Sequence, residues 1–294
     1  MAIPGISAPA TTDLPVLKPP PTRPFTPERI GFATWVAGIP PWAIIAAFGL
    51  CLVWPYWAMA QESEAPITPL AALWRWLPFL ITQGFVFTVL ISVMTMLLGT
   101  VLGVFLGLGQ IAPLRPIRIV SYWTTQTFRN SPWLVLLFIV MLSFPFQIDV
   151  FGVTIPVPDW MKAVIGLALP IMANISEIVR GAIASVPSGQ WEAAESLAFS
   201  RRQTLYQIIL PQCIKRMIPP WMNWYAILTM ATPIVSILGV EEVLNLTRQA
   251  IEAEDNRPEL LVPFYGFVLL IFFVYCYPIA RLTLWLEKRY AVKL

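Results

Sequence analysis

The sequence predicts an all-α, polytopic membrane protein with about six transmembrane helices. Of the 294 residues, 57% are hydrophobic and only 12% are charged, which lies outside the range of soluble globular chains. About 20 helical residues cross a hydrocarbon core of about 30 Å, so apolar runs of that length indicate spans. Such runs lie near 41–60, 80–110, 119–145, 160–180, 217–240 and 261–286.

The basic residues between these spans are divided unevenly. Fourteen lie on the side of the amino terminus: Lys18, Arg23, Arg29, Arg115, Arg118, Arg180, Arg201, Arg202, Lys215, Arg216, Arg281, Lys288, Arg289 and Lys293. Four lie on the opposite side with most of the acids: Arg75, Lys162, Arg248 and Arg257. The positive-inside rule therefore predicts that both termini are cytoplasmic. The net charge of +3 then reflects topology, and nucleic-acid binding is not expected.

The residue types needed for catalysis or metal binding are scarce. The chain has no histidine, and its three cysteines, Cys51, Cys213 and Cys276, are scattered in or beside apolar segments. A zinc site or a histidine-based catalytic triad is therefore not expected. We predict no catalytic residue and no metal ligand, and we expect the thiols to pack in the core.

The amino-terminal region differs in composition from the rest. Ten of the 29 prolines precede residue 42, so we interpret residues 1–40 as a Pro-rich, flexible cytoplasmic tail. Residues 41–60 are predicted to form an additional transmembrane helix. Alternatively, Ala58–Ala60 resembles a signal-peptidase site, although a 40-residue Pro-rich leader is a poor signal feature.

Gly99, Gly103 and Gly107 recur every four residues in the second predicted span. Small residues on one helical stripe let another backbone approach closely, which drives helix association in lipid. The partner helix could belong to the same chain or to a second copy, and we favour the same chain. Prolines within the predicted spans, Pro132 among them, indicate kinks.

Residues 189–210 form a polar, amphipathic segment between two apolar spans. We predict a first short helix with Trp191, Ala194 and Leu197 or Ala198 on one face and Glu192 and Glu195 on the other.

A second helix is predicted to begin at Ser200, with Gln203 completing a capping box, and to end at Pro211. It presents Leu205, Ile208 and Ile209. From physics alone, this segment could equally be a linker on the membrane surface, with Arg201 and Arg202 meeting anionic lipid.

One pattern in this segment is more specific. The residues Glu192, Ala193, Ala194, Ala198, Ile208, Leu210 and Pro211 resemble the EAA loop of ABC importer permeases. "SEIVRGAIASVPSGQWEAAESL" at 176–197, "FRNSPWLVLLF" at 128–138 and "VSILGVEEV" at 235–243 are similar to the polar amino acid (histidine/glutamine/arginine-type) branch. The resemblance covers about 77–290.

The resemblance implies the type I ABC importer transmembrane fold in 77–290, with a cytoplasmic coupling loop at 183–212 that includes Gln190 and Leu197. It implies an ATP-driven importer of polar amino acids or related zwitterions in the bacterial inner membrane, of which this chain forms half of the pathway. The implied partners are a second permease chain of different sequence, two ATP-binding subunits and an extracytoplasmic solute-binding protein, with lipid around them.

The nucleotide site belongs on another polypeptide. No G-x-x-x-x-G-K-[ST] motif occurs in the chain, so we expect it to bind no cofactor itself. ATP and Mg would be used by the partner ATPase.

Two positions depart from the family pattern. Ala198 stands where the family has glycine, which costs on the order of 1 kcal/mol if the backbone there is left-handed. Residues 230–233 read Met-Ala-Thr-Pro where the family commonly has Lys-Asp-Thr-Ser. Either the substrate is not an ordinary amino acid, or a second permease chain supplies the charged groups. We favour the second explanation.

Six polar residues are candidates for the pathway or for substrate contact: Arg129, Asn130, Asn174, Glu177, Thr232 and Glu242. Ionisable groups at membrane depth are costly and usually face a cavity or a partner. For Glu177, an i, i+3 pair with Arg180 is the favoured alternative. For Arg129, carboxylate recognition and pairing between helices are about equally favoured.

Two other functions would fit a membrane protein of this composition. A secondary transporter or channel would show paired intramembrane acids and an inverted repeat, and neither is visible. A membrane scaffold would use 189–212 only as a surface anchor.

Overall fold

The computed structural model describes residue 46, residues 68–150 and residues 153–290. The predicted tail and nearly all of the predicted first span lie outside the described residues. The helices are α1 Pro69–Phe79, α2 Val86–Gln110, α3 Arg115–Arg129, α4 Trp133–Ser143, α5 Asp159–Ala184, α6 Ser188–Ser196, α7 Arg201–Gln203, α8 Leu210–Ala231, α9 Val243–Ala253 and α10 Leu261–Tyr290.

Shorter segments connect these helices. The π-helical segments are Leu80–Phe85 and Thr204–Ile209, and the 3₁₀ segments are Thr232–Leu238 and Pro258–Leu260. The strands β1 Gln147–Val150 and β2 Val153–Pro156 form an antiparallel hairpin in which Gln147 pairs with Pro156.

Four continuous helical segments of the described chain are long and apolar enough to cross a membrane. They are Pro69–Gln110, Asp159–Ala184, Arg201–Leu238 and Pro258–Arg289. Each contains, or nearly contains, one of the spans predicted at 80–110, 160–180, 217–240 and 261–286. The all-α, polytopic fold is therefore confirmed.

The apolar stretch predicted as a span at 119–145 is not one helix, and that prediction is wrong. It is divided between α3 and α4 at Asn130–Pro132. Pro132 has no backbone N–H and disfavours helical geometry in the residue before it, so the helix stops at Arg129. The amide of Asn130 then donates to the carbonyl of Gln126 at 2.7 Å and closes the helix end.

Helix α7 continues through Pro211 into α8, although the sequence predicted that Pro211 would end it. The π segment Thr204–Ile209 explains the difference, because the N–H of Leu210 donates to Leu205, five residues back. The backbone hydrogen-bond pattern changes from π to α at Pro211. Because the proline has no N–H to donate, its place at this change costs the helix no hydrogen bond. Pro78 also lies near a π segment, but inside α1 and two residues before the segment Leu80–Phe85 begins.

The glycine stripe of α2 packs against α5 of the same chain. A Cβ on Gly99 would lie 2.6 Å from Ile171 Cγ2, and one on Gly103 would lie 2.7 Å from Ile175 Cβ. A Cβ on Gly107 would lie 2.7 Å from the Ser176 carbonyl oxygen. The favoured prediction, packing within the chain, is confirmed.

Helix α5 lies at the centre of the main core. Leu167 and Ile171 of α5 are fully buried and pack with Ile91 of α2, Leu137 of α4 and Leu228 of α8. The described thiols, those of Cys213 and Cys276, are buried as predicted. Of the four long apolar segments, α5 is the most deeply buried.

We expect Gly103→Leu to lower the stability of the folded chain by about 1–3 kcal/mol, because the side chain must overlap Ile175 and the Met172 carbonyl. Thermal unfolding of the purified protein in detergent measures this. The matched control is Gly181→Ala on α5, where an added Cβ meets nothing within 4 Å. The control should keep or slightly raise the melting temperature. An unchanged melting temperature in Gly103→Leu would contradict the packing described.

Candidate functional site

The segment 188–212, here called the hairpin, begins with helix α6. Trp191 is half-buried and packs against the main core, and Ala194 is buried with 2% of its surface exposed. Glu192 and Glu195 are exposed, as predicted. Leu197, predicted on the face of Trp191, is instead 71% exposed, because α6 ends at Ser196 and Leu197 already belongs to the turn.

The turn after α6 is a Schellman motif. The N–H of Phe199 donates to the carbonyl of Ala194 at 3.1 Å, and the N–H of Ala198 donates to that of Glu195 at 2.9 Å. This motif requires a left-handed residue after the helix, a position usually occupied by glycine. Ala198 has φ of 60°, so the left-handed backbone considered in the sequence analysis is present.

The second leg of the hairpin starts with the predicted capping box. The N–H of Ser200 donates to the Gln203 side chain at 2.9 Å, and the N–H of Gln203 donates to the Ser200 hydroxyl at 3.4 Å. Ile209 is fully buried, and Leu205 and Ile208 are half-buried against the same core as Trp191. The predicted apolar face therefore packs on the chain itself.

The two legs are tied together at their base. Gln212 donates to the Gln190 side chain at 3.4 Å. Arg216 of α8 donates to the Ser185 carbonyl at 2.9 Å and to the Ser185 hydroxyl at 2.7 Å, which links α8 to the end of α5. The hairpin is thus braced against both long helices that flank it.

The remaining predicted hairpin residues lie on its surface or its edge. Gln190, Glu192, Ala193, Leu197, Ala198 and Pro211 are exposed, whereas Ile208 and Leu210 are half-buried. The exposed set includes one acid, Glu192, and one large apolar side chain, Leu197, which is the composition of a surface that a partner could cover.

Two of the candidate pathway residues bind each other. Arg129 at the end of α3 lies 3.5 Å from Glu177 of α5. Arg180 lies 2.7 Å from the same carboxylate, which confirms the predicted i, i+3 pair. The structure therefore places Arg129 in a pair between helices.

Next to this pair lies a buried polar group that the sequence analysis missed. The Gln110 amide donates to Thr125 at 3.1 Å and to Ser176 at 3.2 Å, and the two hydroxyls are 2.9 Å apart. The group joins α2, α3 and α5. Its signal in the sequence was a polar residue near the end of each of three apolar or amphipathic stretches, but nothing local indicated which stretches would meet.

Three further candidates form side-chain hydrogen bonds to the residue four positions earlier in the chain. The Asn130 amide donates to Gln126, the Asn174 amide donates to the Pro170 carbonyl at 2.8 Å, and the buried Thr232 hydroxyl donates to Leu228 at 2.8 Å. Each of these side chains therefore already has a local partner.

Glu242 caps helix α9. Its carboxylate accepts from the N–H groups of Leu244 at 2.8 Å and Asn245 at 3.1 Å, and from the Thr88 hydroxyl at 3.2 Å. The side chain is fully buried. Glu242 lies in the connection between the spanning segments that end at Leu238 and begin at Pro258. Burial raises the pKa of its carboxyl to about 7, against the lowering effect of these hydrogen bonds.

A cavity of ≈ 650 Å³ opens beside this cap. It is lined by Phe79, Thr82, Gln83, Val86, Phe87, Leu90, Asp159, Trp160, Gly239, Val240, Glu241 and Leu246. The Asp159 carboxylate in this lining lies 3.2 Å from the buried ammonium of Lys162, so Glu241 is the lining carboxylate left without a described ion pair. The polar side chains and aromatic rings could hold a small zwitterion.

A polytopic helical chain whose braced hairpin projects between two spans has the architecture of an ABC importer transmembrane subunit. Residues 99–292 match the family model described as the binding-protein-dependent transport system inner membrane component. The chain belongs to this family, and it is a multi-pass inner-membrane protein.

Several relatives agree with this assignment. The chain is 36% identical to the probable amino-acid ABC transporter permease protein YckA of Bacillus subtilis, covering 73% of this chain and 90% of the relative. It is 30% identical to the L-cystine transport system permease protein TcyB of the same organism, covering 79% and 90%. It is 32% identical to the arginine transport system permease protein ArtQ, also of that organism, covering 67% and 90%.

Solved structures share the fold. A chain of an amino acid ABC transporter crystallised with histidines superposes with a TM-score of 0.63 at 24% identity, covering 74% of this chain and 96% of that one. The MetNI methionine ABC transporter in an inward-facing conformation gives a TM-score of 0.56 at 16% identity, covering 73% and 97%.

We expect Ala198→Gly to stabilise the hairpin by about 1 kcal/mol, because glycine adopts the left-handed backbone without the Cβ penalty. Thermal unfolding and protease resistance of the 188–212 segment measure this. Ala193→Gly, at an exposed position inside α6, is the matched control and should destabilise by about 0.5–1 kcal/mol. Equal destabilisation by both variants would mean that Ala198 is not left-handed.

We expect Glu242→Ala to lower stability by about 1–3 kcal/mol, because it leaves the N–H groups of Leu244 and Asn245 without their acceptor. Glu242→Gln should stay close to the unsubstituted protein, since the amide oxygen still accepts both bonds. Thermal unfolding of the purified chain measures the difference, with the exposed Glu241→Ala as control. If the Gln and Ala variants unfold alike, the capping account is wrong.

Proposed function

We propose that this chain is one permease subunit of an ATP-driven importer of polar amino acids or related small zwitterions. The substrate class is supported by the relatives, whose names include amino-acid, arginine, L-cystine and glutamine transport systems. In this proposal the chain forms half of the translocation pathway and catalyses no covalent chemistry.

The hairpin is proposed to couple the pathway to a separate ATPase. The observation that carries this is the hairpin's construction: a capped, left-handed turn between two short helical legs, braced at the base by Arg216 and Gln212. A rigid element of this kind can pass the closure of an ATPase pair to the spans as a rigid-body motion. Its exposed Glu192 and Leu197 would contact the groove of the ATPase.

The complete transporter is proposed to contain four further polypeptides. These are a second permease subunit of different sequence, two ATP-binding subunits that use ATP and Mg, and an extracytoplasmic solute-binding protein. Both termini of this chain and the hairpin would lie in the cytoplasm, as the distribution of its basic residues favours.

A second permease of different sequence would supply the charged groups that are missing at 230–233. The block Met-Ala-Thr-Pro carries no charge; Met230 is 57% exposed and Thr232 is buried. The cavity lined by Gln83, Trp160 and Glu241 is proposed as this chain's contribution to the outer mouth of the pathway. Arg129 and Arg180 share the Glu177 carboxylate, and the contact of Arg129 with Glu177 would hold α3 against α5.

Charge reversal on the hairpin tests the proposal. We expect Glu192→Lys to reduce co-purification of the ATPase by at least about tenfold, because reversing a contact charge is costly at a docked surface. ATP-driven uptake should fall in parallel, while membrane insertion stays normal. Co-purification from membranes that express the full transporter gives the readout.

Glu287→Lys is the matched control, since Glu287 is an exposed acid near the end of α10 and proposed to lie on the same side of the membrane. It should leave docking and uptake unchanged. Normal ATPase docking in Glu192→Lys would contradict the coupling role of the hairpin.

A further inference from the structure

A second cavity, of ≈ 760 Å³, lies where the ends of α2 and α5 meet the second leg of the hairpin. We call it the hairpin groove. Its floor is apolar and includes Leu108, Ile111, Ile183, Val186 and Leu205. A groove of this size and composition takes up hydrocarbon readily.

Two arginines line the edge of the groove. Arg201 and Arg202 are both exposed, and neither forms an ion pair among the described residues. They follow Ser200 in the first turn of a helix, where cations oppose the helix dipole. The two arginines therefore do not stabilise the helix, whereas an external anion would be attracted to them.

The groove continues into an exposed apolar face of α2. Leu97, Val101 and Phe105 are 59%, 54% and 71% exposed and follow one another every four residues. Leu108, three residues after Phe105, extends this stripe into the groove on the side of α2 away from the glycines that contact α5. A hydrocarbon chain could pass along α2 into the groove without leaving an apolar surface.

Aromatic side chains complete the lining. Tyr206 is 52% exposed and Trp191 is half-buried, and both contribute to the groove beside the arginines. Tyr and Trp are enriched at the level of lipid headgroups, because each has an apolar body and a polar tip. Their position next to the two cations matches the boundary between headgroup and acyl chain.

We propose that the hairpin groove binds an anionic phospholipid of the inner leaflet. The phosphate lies between the guanidinium groups of Arg201 and Arg202, and one acyl chain fills the apolar floor. Basic pockets at the cytoplasmic ends of membrane helices have this specificity. The inference rests on the proposed function in one respect, the cytoplasmic location of the hairpin.

Charge argues against the chain's own tail as the occupant. The tail carries Lys18, Arg23 and Arg29 against Asp13 and Glu28, so it offers the two arginines no net negative partner. A phospholipid in the groove would brace the hairpin from the membrane side and leave Glu192 and Leu197 free for the ATPase.

Binding of phosphatidylglycerol to the assembled, detergent-purified transporter tests the proposal, with phosphatidylcholine as the neutral comparison. We expect the double substitution Arg201→Gln with Arg202→Gln to weaken phosphatidylglycerol binding about thirtyfold, the weight of two membrane-surface cations. Phosphatidylcholine binding should not change. The matched control, Arg281→Gln with Lys288→Gln on α10, removes two exposed cations away from the groove and should leave phosphatidylglycerol binding intact.

A second variant separates the acyl chain from the headgroup. Ala112→Trp narrows the groove without removing charge, so it should weaken binding of long-chain phosphatidylglycerol. Competition with inorganic phosphate provides the other arm. Displacement of phosphatidylglycerol by millimolar inorganic phosphate would overturn the lipid assignment in favour of a free anion.

One further outcome would overturn the inference, namely unchanged phosphatidylglycerol binding in the arginine double variant. If the ATPase is also lost from that variant, the arginines lie against the ATPase instead. Because docking of the ATPase is measured independently with Glu192→Lys, loss of the lipid site and loss of the coupling role give different results.

Discussion

The close approach of α2 and α5 is the contact on which the described fold depends. In lipid there is little hydrophobic drive between helices, so association relies on packing at short range and on polar bonds. Gly99, Gly103 and Gly107 remove the side chains that would otherwise separate the two backbones. Helix α5, held in this way, is the scaffold against which α4, α3 and α8 pack.

Polar contacts between the helices reinforce the same arrangement. Gln110, Thr125 and Ser176 join α2, α3 and α5 through short hydrogen bonds in a setting where an unpaired polar atom is costly. Arg129 and Glu177 add an ionic contact between α3 and α5. Charged residues that a sequence pattern suggests as substrate ligands can thus form ion pairs with one another inside the bundle instead.

The hairpin shows how a small surface element is made rigid without a core of its own. Its apolar side chains, Trp191 and Ile209 among them, pack in the core formed by the spans. Its turn is closed by backbone hydrogen bonds at Ala198. Any displacement of the hairpin must then move α5 and α8 with it. Coupling and lipid binding, as proposed, would use different sides of one element whose position is set by the membrane helices.

The sequence by itself determined the features that depend on neighbours along the chain. Hydropathy located four of the described spans, and the spacing of Ser200 and Gln203 located the capping box. The family pattern, with glycine in place of Ala198, raised the question of a left-handed backbone there, and Ala198 has φ of 60°. These features are set by hydropathy and by bonds three or four residues apart, which a linear pattern records.

Only the tertiary structure decided which groups meet across the fold. The partner of Arg129 lies 48 residues away on another helix, and Thr88 meets Glu242 across 154 residues, so no local period could indicate either contact. The sequence also did not decide whether a given proline would end a helix. Pro132 divides a predicted span, whereas Pro211 is absorbed by a π turn, because the surrounding ladder supplies a register change at one site and not at the other. Packing selects between these outcomes, and packing is a property of the whole bundle.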